Sequence, residues 1–241
     1  MSSRLLLVGY GRMGRLVESL AAESGFEVAG AIDRRAAADG DWPDADVAID
    51  FSIAEAVPST VARLAKRGTP IVIGTTGWQA SDAAVRDAAA KAKLGVVAAP
   101  NFAIGVNVFL AVAEHLGGLM SAQPAFGAWI HELHHAAKRD APSGTALALD
   151  ARLRSGGYTG EVPIASTRAG AIPGTHTLGF DAASETITIT HQARDRAAFA
   201  RGALVAARWV IGKRGWFTMT DVLNLTPGRG FGGEAPQGEK R

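Results

Sequence analysis

The chain of 241 residues contains no cysteine, so disulfides, thiolate metal sites and a cysteine nucleophile are excluded. No stretch approaches the roughly 18 consecutive apolar residues of a transmembrane helix, and the first apolar run is too short for a signal peptide. The formal net charge is only +2, and the basic residues are scattered without aromatic neighbours. We therefore expect a cytoplasmic protein that binds neither membrane nor nucleic acid.

Short apolar runs alternate with alanine-rich helical stretches in the N-terminal part of the chain. The runs lie at residues 4–9, 27–32, 47–51, 70–73 and 95–98. Continuous apolar runs are typical of strands buried on both faces of a parallel sheet. Their alternation with helices predicts an α/β fold with a doubly wound parallel sheet.

The pattern changes after Pro100. Helical spacing at residues 106–119 is followed by a strand pattern at 126–133, and three more strand patterns lie between residues 163 and 191. The last of them alternates threonine and isoleucine, which is typical of a strand with one buried face. Helical spacing returns at residues 197–211. The glycine- and proline-rich residues 227–241 lack apolar periodicity, so we expect a mobile tail.

A glycine turn follows the first predicted strand and opens a helix. Its pattern, Gly9-x-Gly11-x-x-Gly14, is that of a dinucleotide-binding turn, in which the pyrophosphate lies on the helix N-terminus. Asp33 ends the second predicted strand and is suited to the adenosine ribose hydroxyls, whereas Arg34 is suited to a 2′-phosphate. NADH and NADPH both remain open as cofactors. The remaining turn positions are Tyr10, Arg12 and Met13.

The most informative segment is Glu132-Leu-His-His-Ala-Ala-Lys-Arg-Asp-Ala-Pro-Ser-Gly-Thr-Ala146. It combines two imidazoles, which titrate at about pH 6.5, with a lysine and the start of a helix. Unpaired N–H groups and the positive dipole end of a helix favour a bound anion. The segment therefore indicates a proton donor next to a binding site for a carboxylate or phosphate.

This segment closely resembles the signature of the 4-hydroxy-tetrahydrodipicolinate reductase (dihydrodipicolinate reductase) family, Glu-x-His-His-x-x-Lys-x-Asp-Ala-Pro-Ser-Gly-Thr-Ala. Every specified position is met. The family's glycine turn, commonly Gly-x-x-Gly-Arg-Met-Gly, is one residue longer than the turn here, and the connection between residues 33 and 47 is short. These differences leave open which N–H groups meet the pyrophosphate.

The resemblance implies a Rossmann-like parallel sheet with an inserted α+β domain. We expect the dinucleotide-binding domain to comprise residues 1–101 and 196–241. Residues 102–195 would bind the substrate and mediate assembly, because the family is usually tetrameric through the sheet of that domain. A homotetramer is therefore expected.

The implied activity is NADH- or NADPH-dependent reduction of 4-hydroxy-tetrahydrodipicolinate, a cyclic imine dicarboxylate of the diaminopimelate route to lysine. The resemblance assigns His134 as general acid and Lys138 as second proton donor and charge partner. His135, Gly144 and Thr145 would bind substrate. The remaining residues assigned to the cofactor are Gly74, Thr75, Thr76, Ala99, Pro100, Asn101 and Phe102.

Two other functions remain open from the sequence. One is another Rossmann-type amino- or keto-acid dehydrogenase, such as an aspartate or homoserine dehydrogenase, which would not require the histidine pair and Lys138. The other is a cofactor-binding protein without catalysis, against which the intact His134 and Lys138 argue. No metal site is expected, because the histidines lack carboxylate or thiol partners at the spacing of a zinc site.

Overall fold

The structure, a computed structural model, describes residues 2–33 and 40–225. The predicted glycine- and proline-rich tail, like Arg34, lies outside the described residues. The strands are β1 (Ser3–Val8), β2 (Phe26–Ile32), β3 (Val47–Asp50), β4 (Ile71–Ile73), β5 (Gly95–Ala98), β6 (Gly127–His134), β7 (Ile164–Arg168), β8 (Thr175–Asp181), β9 (Thr186–Gln192) and β10 (Gly215–Phe217). The helices are α1 (Arg12–Ala21), α2 (Val57–Arg67), α3 (Asp82–Lys91), α4 (Ile104–Met120), α5 (Gly144–Ser155), α6 (Ala197–Val210) and α7 (Met219–Val222).

The first sheet is parallel, with six strands in the order β10-β5-β4-β3-β1-β2. Its strands are apolar throughout because both faces are covered: α1 and α6 pack on one core, and α2 and α3 on the other. Leu5, Leu6 and Leu7 of β1 are at most 1% exposed and contribute to both cores. The predicted doubly wound parallel sheet is confirmed.

The second sheet is mixed, with four strands in the order β7-β6-β8-β9. β6 pairs parallel with β7 and antiparallel with β8, which in turn pairs antiparallel with β9. Alternate residues of β6 and β8 pack on α4 and α5 around Phe109, Leu149 and Phe180. The opposite face carries no helix among the described residues, and its side chains are partly or fully exposed.

The parallel strands place four chain segments at one edge of the first sheet. Gly9, Asp33 and Gly74 follow β1, β2 and β4, and Asp50 ends β3. Ligands of open parallel sheets bind outside this carboxyl edge. No helix in the described part of the chain is long and apolar enough to cross a membrane.

Candidate active site

The turn after β1 requires glycine at two positions. Gly9 has φ +88°, and a Cβ on it would lie 2.4 Å from the carbonyl oxygen of Phe51. A Cβ on Gly14 would lie 2.2 Å from the carbonyl oxygen of Gly9, so this glycine allows α1 to pack closely on β1. At Gly11 nothing lies within 4 Å of the Cβ position. The start of α1 is therefore open to a ligand, as a pyrophosphate site requires.

A cavity of about 1190 Å³ lies at the carboxyl edge between the glycine turn and α2. The predicted cofactor residues that line it are Gly9, Tyr10, Gly11 and Asp33. Two other predicted residues lie on the first turn of α1, where Arg12 is exposed and Met13 packs against the apolar core. Any contact of Met13 with a phosphate is therefore through its backbone.

A smaller pocket of about 200 Å³ lies beyond β4 and β5, lined in part by Thr75, Thr76, Ala99 and Pro100. Gly74 is required here because a Cβ would lie 2.1 Å from the ring of Phe51. Asn101 fixes the backbone just before α4, because its side-chain oxygen accepts a hydrogen bond from the Ala103 N–H at 2.9 Å. These predicted residues therefore share one region of the edge.

Asp50 is a buried acid at the same edge that the sequence interpretation overlooked. It is 0% exposed, and its Oδ1 accepts hydrogen bonds from the Ser52 N–H at 2.8 Å and the Thr75 hydroxyl at 2.7 Å. Burial raises the pKa of Asp50, against the effect of these hydrogen bonds. Because the Thr75 hydroxyl is already bound to Asp50, the backbone of Thr75 is the part available to a cofactor.

Phe102, one of the predicted cofactor residues, has a buried side chain. Its side chain is only 2% exposed and packs edge-on against Phe51, with ring centroids 6.3 Å apart. A Cβ on Gly202 of α6 would lie 1.7 Å from the Phe102 carbonyl oxygen, so the backbone here is also tightly enclosed. The ring of Phe102 therefore packs in the core next to the carboxyl edge, and its contact with a cofactor stays a prediction.

At the end of β6, Glu132 is fully buried, and its carboxylate contacts β6, β7 and the residue before α5. Its Oε2 is hydrogen-bonded to Nδ1 of His134, while Arg168 of β7 donates to both carboxylate oxygens, at 2.9 and 2.6 Å. Its Oε1 also accepts from the Ser143 N–H at 3.2 Å. Burial disfavours an ionised carboxylate, but the bonds from Arg168, Ser166 and His134 outweigh that effect and lower the pKa of Glu132 to about 2.

In the protein without ligand, the surroundings of His134 and His176 favour the neutral form of both imidazoles. Burial lowers the pKa of His134, although Glu132 acts in the opposite direction. Burial and the nearby His134 lower the pKa of His176 of β8 to about 4. The two rings meet edge-on with centroids 5.0 Å apart. A negatively charged ligand would therefore favour proton uptake here.

Lys138 lies in the loop after β6, close enough to His134 to affect its pKa. Asp140 accepts two hydrogen bonds from the Lys138 ammonium, at 2.7 and 2.9 Å. Arg168 donates to the Asp140 carbonyl oxygen at 2.6 Å. His135 closes the turn before Lys138 through its carbonyl oxygen, which accepts from the Lys138 N–H at 3.0 Å. Asp140 therefore holds the lysine as well as shaping the turn.

Helix α5 begins beside this loop. Ser143 is its N-cap: the serine hydroxyl accepts from the Ala146 N–H at 3.2 Å and is hydrogen-bonded to Nε2 of His176 at 2.9 Å. Gly144 and Thr145 form the first turn, and a Cβ on Gly144 would meet open space. Since Ser143 provides the cap, the hydroxyl of Thr145 is available to an anion at the helix start.

Glu132, His134 and His176 each offer a ligand atom within 4.8 Å of the others, which is close enough to hold a metal ion. The carboxylate partner that the sequence interpretation found missing is therefore Glu132. Both its oxygens already accept hydrogen bonds from the positive Arg168, which opposes a second cation. The geometry is better described as an ion pair between Arg168 and Glu132, with the imidazoles of His134 and His176 next to it.

Glu132, Arg168 and His176 are functional candidates that the sequence interpretation did not assign. Glu132 begins the signature, but an isolated acid in a strand usually indicates an exposed side chain. The signal that was available is the strand alternation, which places Ala128, Ile130 and Glu132 on one face.

Two family models cover nearly all of the described chain. "Dihydrodipicolinate reductase, N-terminus" matches residues 3–102, and "Dihydrodipicolinate reductase, C-terminus" matches residues 105–223. A protein of Acidiphilium cryptum named 4-hydroxy-tetrahydrodipicolinate reductase is 41% identical over 89% of this chain and 94% of its own length. A protein of Christiangramia forsetii with the same name is 36% identical over 91% of this chain and 97% of its own length.

Solved structures match the fold at lower identity. A dipicolinate-bound dihydrodipicolinate reductase from Paenisporosarcina sp. TG-14 has a TM-score of 0.75 at 22% identity, covering 92% of this chain and 99% of its own. An amine dehydrogenase from Mycobacterium smegmatis has a TM-score of 0.60 at 10% identity, covering 92% and 96%. The fold is thus shared with several Rossmann dehydrogenases.

Proposed function

Because the chain belongs to the dihydrodipicolinate reductase family, we propose that it reduces 4-hydroxy-tetrahydrodipicolinate to tetrahydrodipicolinate with NADH or NADPH. The reaction belongs to the diaminopimelate route to lysine, and the protein is an oxidoreductase. Its cytoplasmic location stays a proposal from the sequence.

One structural observation carries the proposal: Glu132 joins the proton donor to the start of α5. Its carboxylate binds His134 through one oxygen and the N–H of Ser143, the N-cap of α5, through the other. An acid–base group and an anion-binding helix start are thereby held next to each other. That combination is suited to a negatively charged substrate that must be protonated.

The proposed substrate-binding and proton-donating residues offer positive charge or N–H donors to the negatively charged substrate. We assign one substrate carboxylate to the first turn of α5, at Gly144 and Thr145, where backbone N–H groups and the helix dipole favour an anion. Lys138 and His135 bind the substrate from the loop, and Lys138 also serves as second proton donor. His134 gives a proton to the ring carbon next to the reduced position, because the substrate dianion favours its charged form.

The carboxyl edge of the first sheet fits a dinucleotide. The open start of α1 at Gly11 and the cavity lined by Asp33 are suited to the pyrophosphate and adenosine ribose, and Gly74, Thr75 and Thr76 to the region nearer the reaction. A reduced nicotinamide, when bound, supplies the hydride. The chain's own part is to orient the substrate and to protonate it.

A coupled assay tests the proposal. The preceding synthase makes the unstable substrate in situ, and oxidation of NADH or NADPH is followed by absorbance. We expect oxidation that depends on both the synthase and this protein. If oxidation appears only with a keto acid, alone or with ammonia, the protein is another dehydrogenase; if cofactor binds without any turnover, it is a binding protein.

Cofactor choice gives a first prediction from the sequence. Asp33 favours an unphosphorylated ribose and Arg34 a 2′-phosphate, so we propose that both cofactors are used. Arg34→Ala should lower the ratio of kcat/KM for NADPH to that for NADH by roughly 10- to 150-fold, since a charge-assisted contact contributes about 1.5–3 kcal/mol. Arg154→Ala on α5 is the control. An unchanged ratio would remove Arg34 from the phosphate site.

Assembly gives a second prediction. We propose a homotetramer through the helix-free face of the second sheet, where Trp129 covers Gly179 and Thr188 of β9 is exposed. Thr188→Glu should shift the mass measured by light scattering from tetramer towards smaller species, because it adds a charge to a self-associating face. Thr159→Glu, an exposed threonine outside the strands, is the matched control. A monomeric wild type would refute the proposal.

A further inference from the structure

The negative charge of Glu132 is compensated by Arg168 and does not require His134. Arg168 binds both oxygens of the buried carboxylate, which offsets the cost of removing its charge from water. The bond from Glu132 to Nδ1 of His134 is therefore additional to the ion pair. This bond mainly affects the imidazole. The His134 side chain is 12% exposed, and with Nδ1 bound to Glu132 only Nε2 is left for a ligand.

The ring of His134 is constrained on three sides. Glu132 binds Nδ1, and His176 meets the ring edge-on. On the third side lies Gly174, with φ +123°, where a Cβ would come within 3.2 Å of Nε2. The glycine thus leaves room at the nitrogen opposite Glu132. The arrangement fixes which nitrogen faces inward and which can meet a substrate.

We propose that Glu132 is a positioning residue for the proton transfer, holding His134 with Nδ1 protonated and Nε2 as the atom that gives up the proton. This inference rests on His134 being the acid in the proposed function. The imidazolium forms with a proton on each nitrogen; the Nε2–H bond breaks as a C–H bond forms on the substrate. The neutral ring keeps its proton on Nδ1, which stays hydrogen-bonded to Glu132. Solvent then returns a proton to Nε2.

Glu132 also opposes the effect of the other groups on the pKa of His134. The groups facing that ring are Glu132 on its own strand, Arg168 from β7, His176 from β8 and Lys138 from the loop. Burial, Lys138 and Arg168 all lower the pKa of His134, whereas Glu132 raises it. Removing the negative charge should therefore lower the pKa further, so that the acid form is lost at a lower pH.

Glu132→Gln tests the inference through the pH profile of kcat. We expect kcat to fall on the order of 10²-fold at neutral pH, at the lower end of what acid–base catalysis contributes, and its alkaline decline to move to lower pH. Glu114→Gln is a matched control, because Glu114 is also paired with an arginine, Arg152 at 2.8 Å, but lies on α4. A loss that is equal at every pH would mean a merely structural role and overturn the proposal.

A double-variant cycle separates positioning from folding. Glu132→Gln should have no further effect on kcat in a His134→Gln background, because the proton donor that Glu132 positions is already absent. A full additive loss would refute the coupling. If Glu132→Gln does not fold, ¹⁵N NMR of histidine in the wild-type protein decides: the Nδ1–H tautomer of His134 supports the proposal, and the Nε2–H tautomer overturns it. Failure of the coupled assay with wild type would instead refute the proposed function.

Discussion

His134→Gln should lower kcat about 10²–10⁴-fold and leave the affinity for the cofactor close to that of the wild type. Glutamine occupies similar space and can still hydrogen-bond to Glu132, but it has no proton to give near neutral pH. The first sheet, which carries the glycine turn and Asp33, does not contain His134. The loss should therefore appear in the chemical step. Measuring kcat in the coupled assay and cofactor binding by fluorescence titration separates the two effects.

Lys138→Ala belongs with that prediction because the lysine is the positive charge that we propose to face the substrate. Removing it leaves Asp140, which holds the ammonium in the wild type, as an unpaired negative group near a dianion. We expect a loss within the same range, with partial recovery in Lys138→Arg. His115→Gln, at an exposed position of α4, is the control. Retention of kcat within a few fold in either His134→Gln or Lys138→Ala would refute that residue's role.

The free energy of unfolding should fall by about 3 kcal/mol as the pH is lowered from about 6.5 to about 4, because of His176. The folded protein holds this imidazole neutral, with a pKa lowered to about 4 from 6.5. Between those values the unfolded chain binds a proton that the folded chain does not. The stabilisation is therefore complete above the higher value and is lost on acidification through the interval. Glu132, with a pKa of about 2, adds a further loss only below about pH 4.5.

Urea unfolding at several pH values, with salt and protein concentration fixed, measures this dependence. In His176→Gln the curve of unfolding free energy against pH should be flatter across the interval, even if the variant is less stable at pH 7 through loss of the bond to Ser143. His115→Gln should keep the wild-type slope. The same slope in His176→Gln as in wild type would contradict the assignment.

Nine of the ten strands could be predicted because their apolar patterns are local. The run at residues 4–9 corresponds to β1 (Ser3–Val8), and the helical spacing at 197–211 to α6 (Ala197–Val210). β10 (Gly215–Phe217) was missed, because three residues carry no periodicity and the strand exists through its pairing with β5. Sequence patterns record neighbours along the chain, whereas such a strand depends on neighbours across the sheet.

In the candidate site, too, the residues that are close in sequence could be predicted, and those brought together by strand pairing could not. His134 and Lys138 were found because they lie in one short segment with recognisable chemistry. Arg168 and His176 lie on β7 and β8, and only the register of these strands with β6 brings them to Glu132. Phe102 also depends on distant contacts: an aromatic after a strand can face a ligand or the core, and packing against Phe51 and α6 buries its side chain.

The Asp50 contacts bear on attempts to redesign nucleotide preference. Its bonds to Ser52 and Thr75 connect the ends of β3 and β4, so a library that randomised these three positions would remodel the sheet margin itself. The α2 side of the large cavity offers Ser59, Ala62 and Lys66 instead, which belong to a helix surface and leave the strand ends intact. We expect mutagenesis directed there to alter nucleotide selectivity while the contacts of Asp50 at the strand ends stay unchanged.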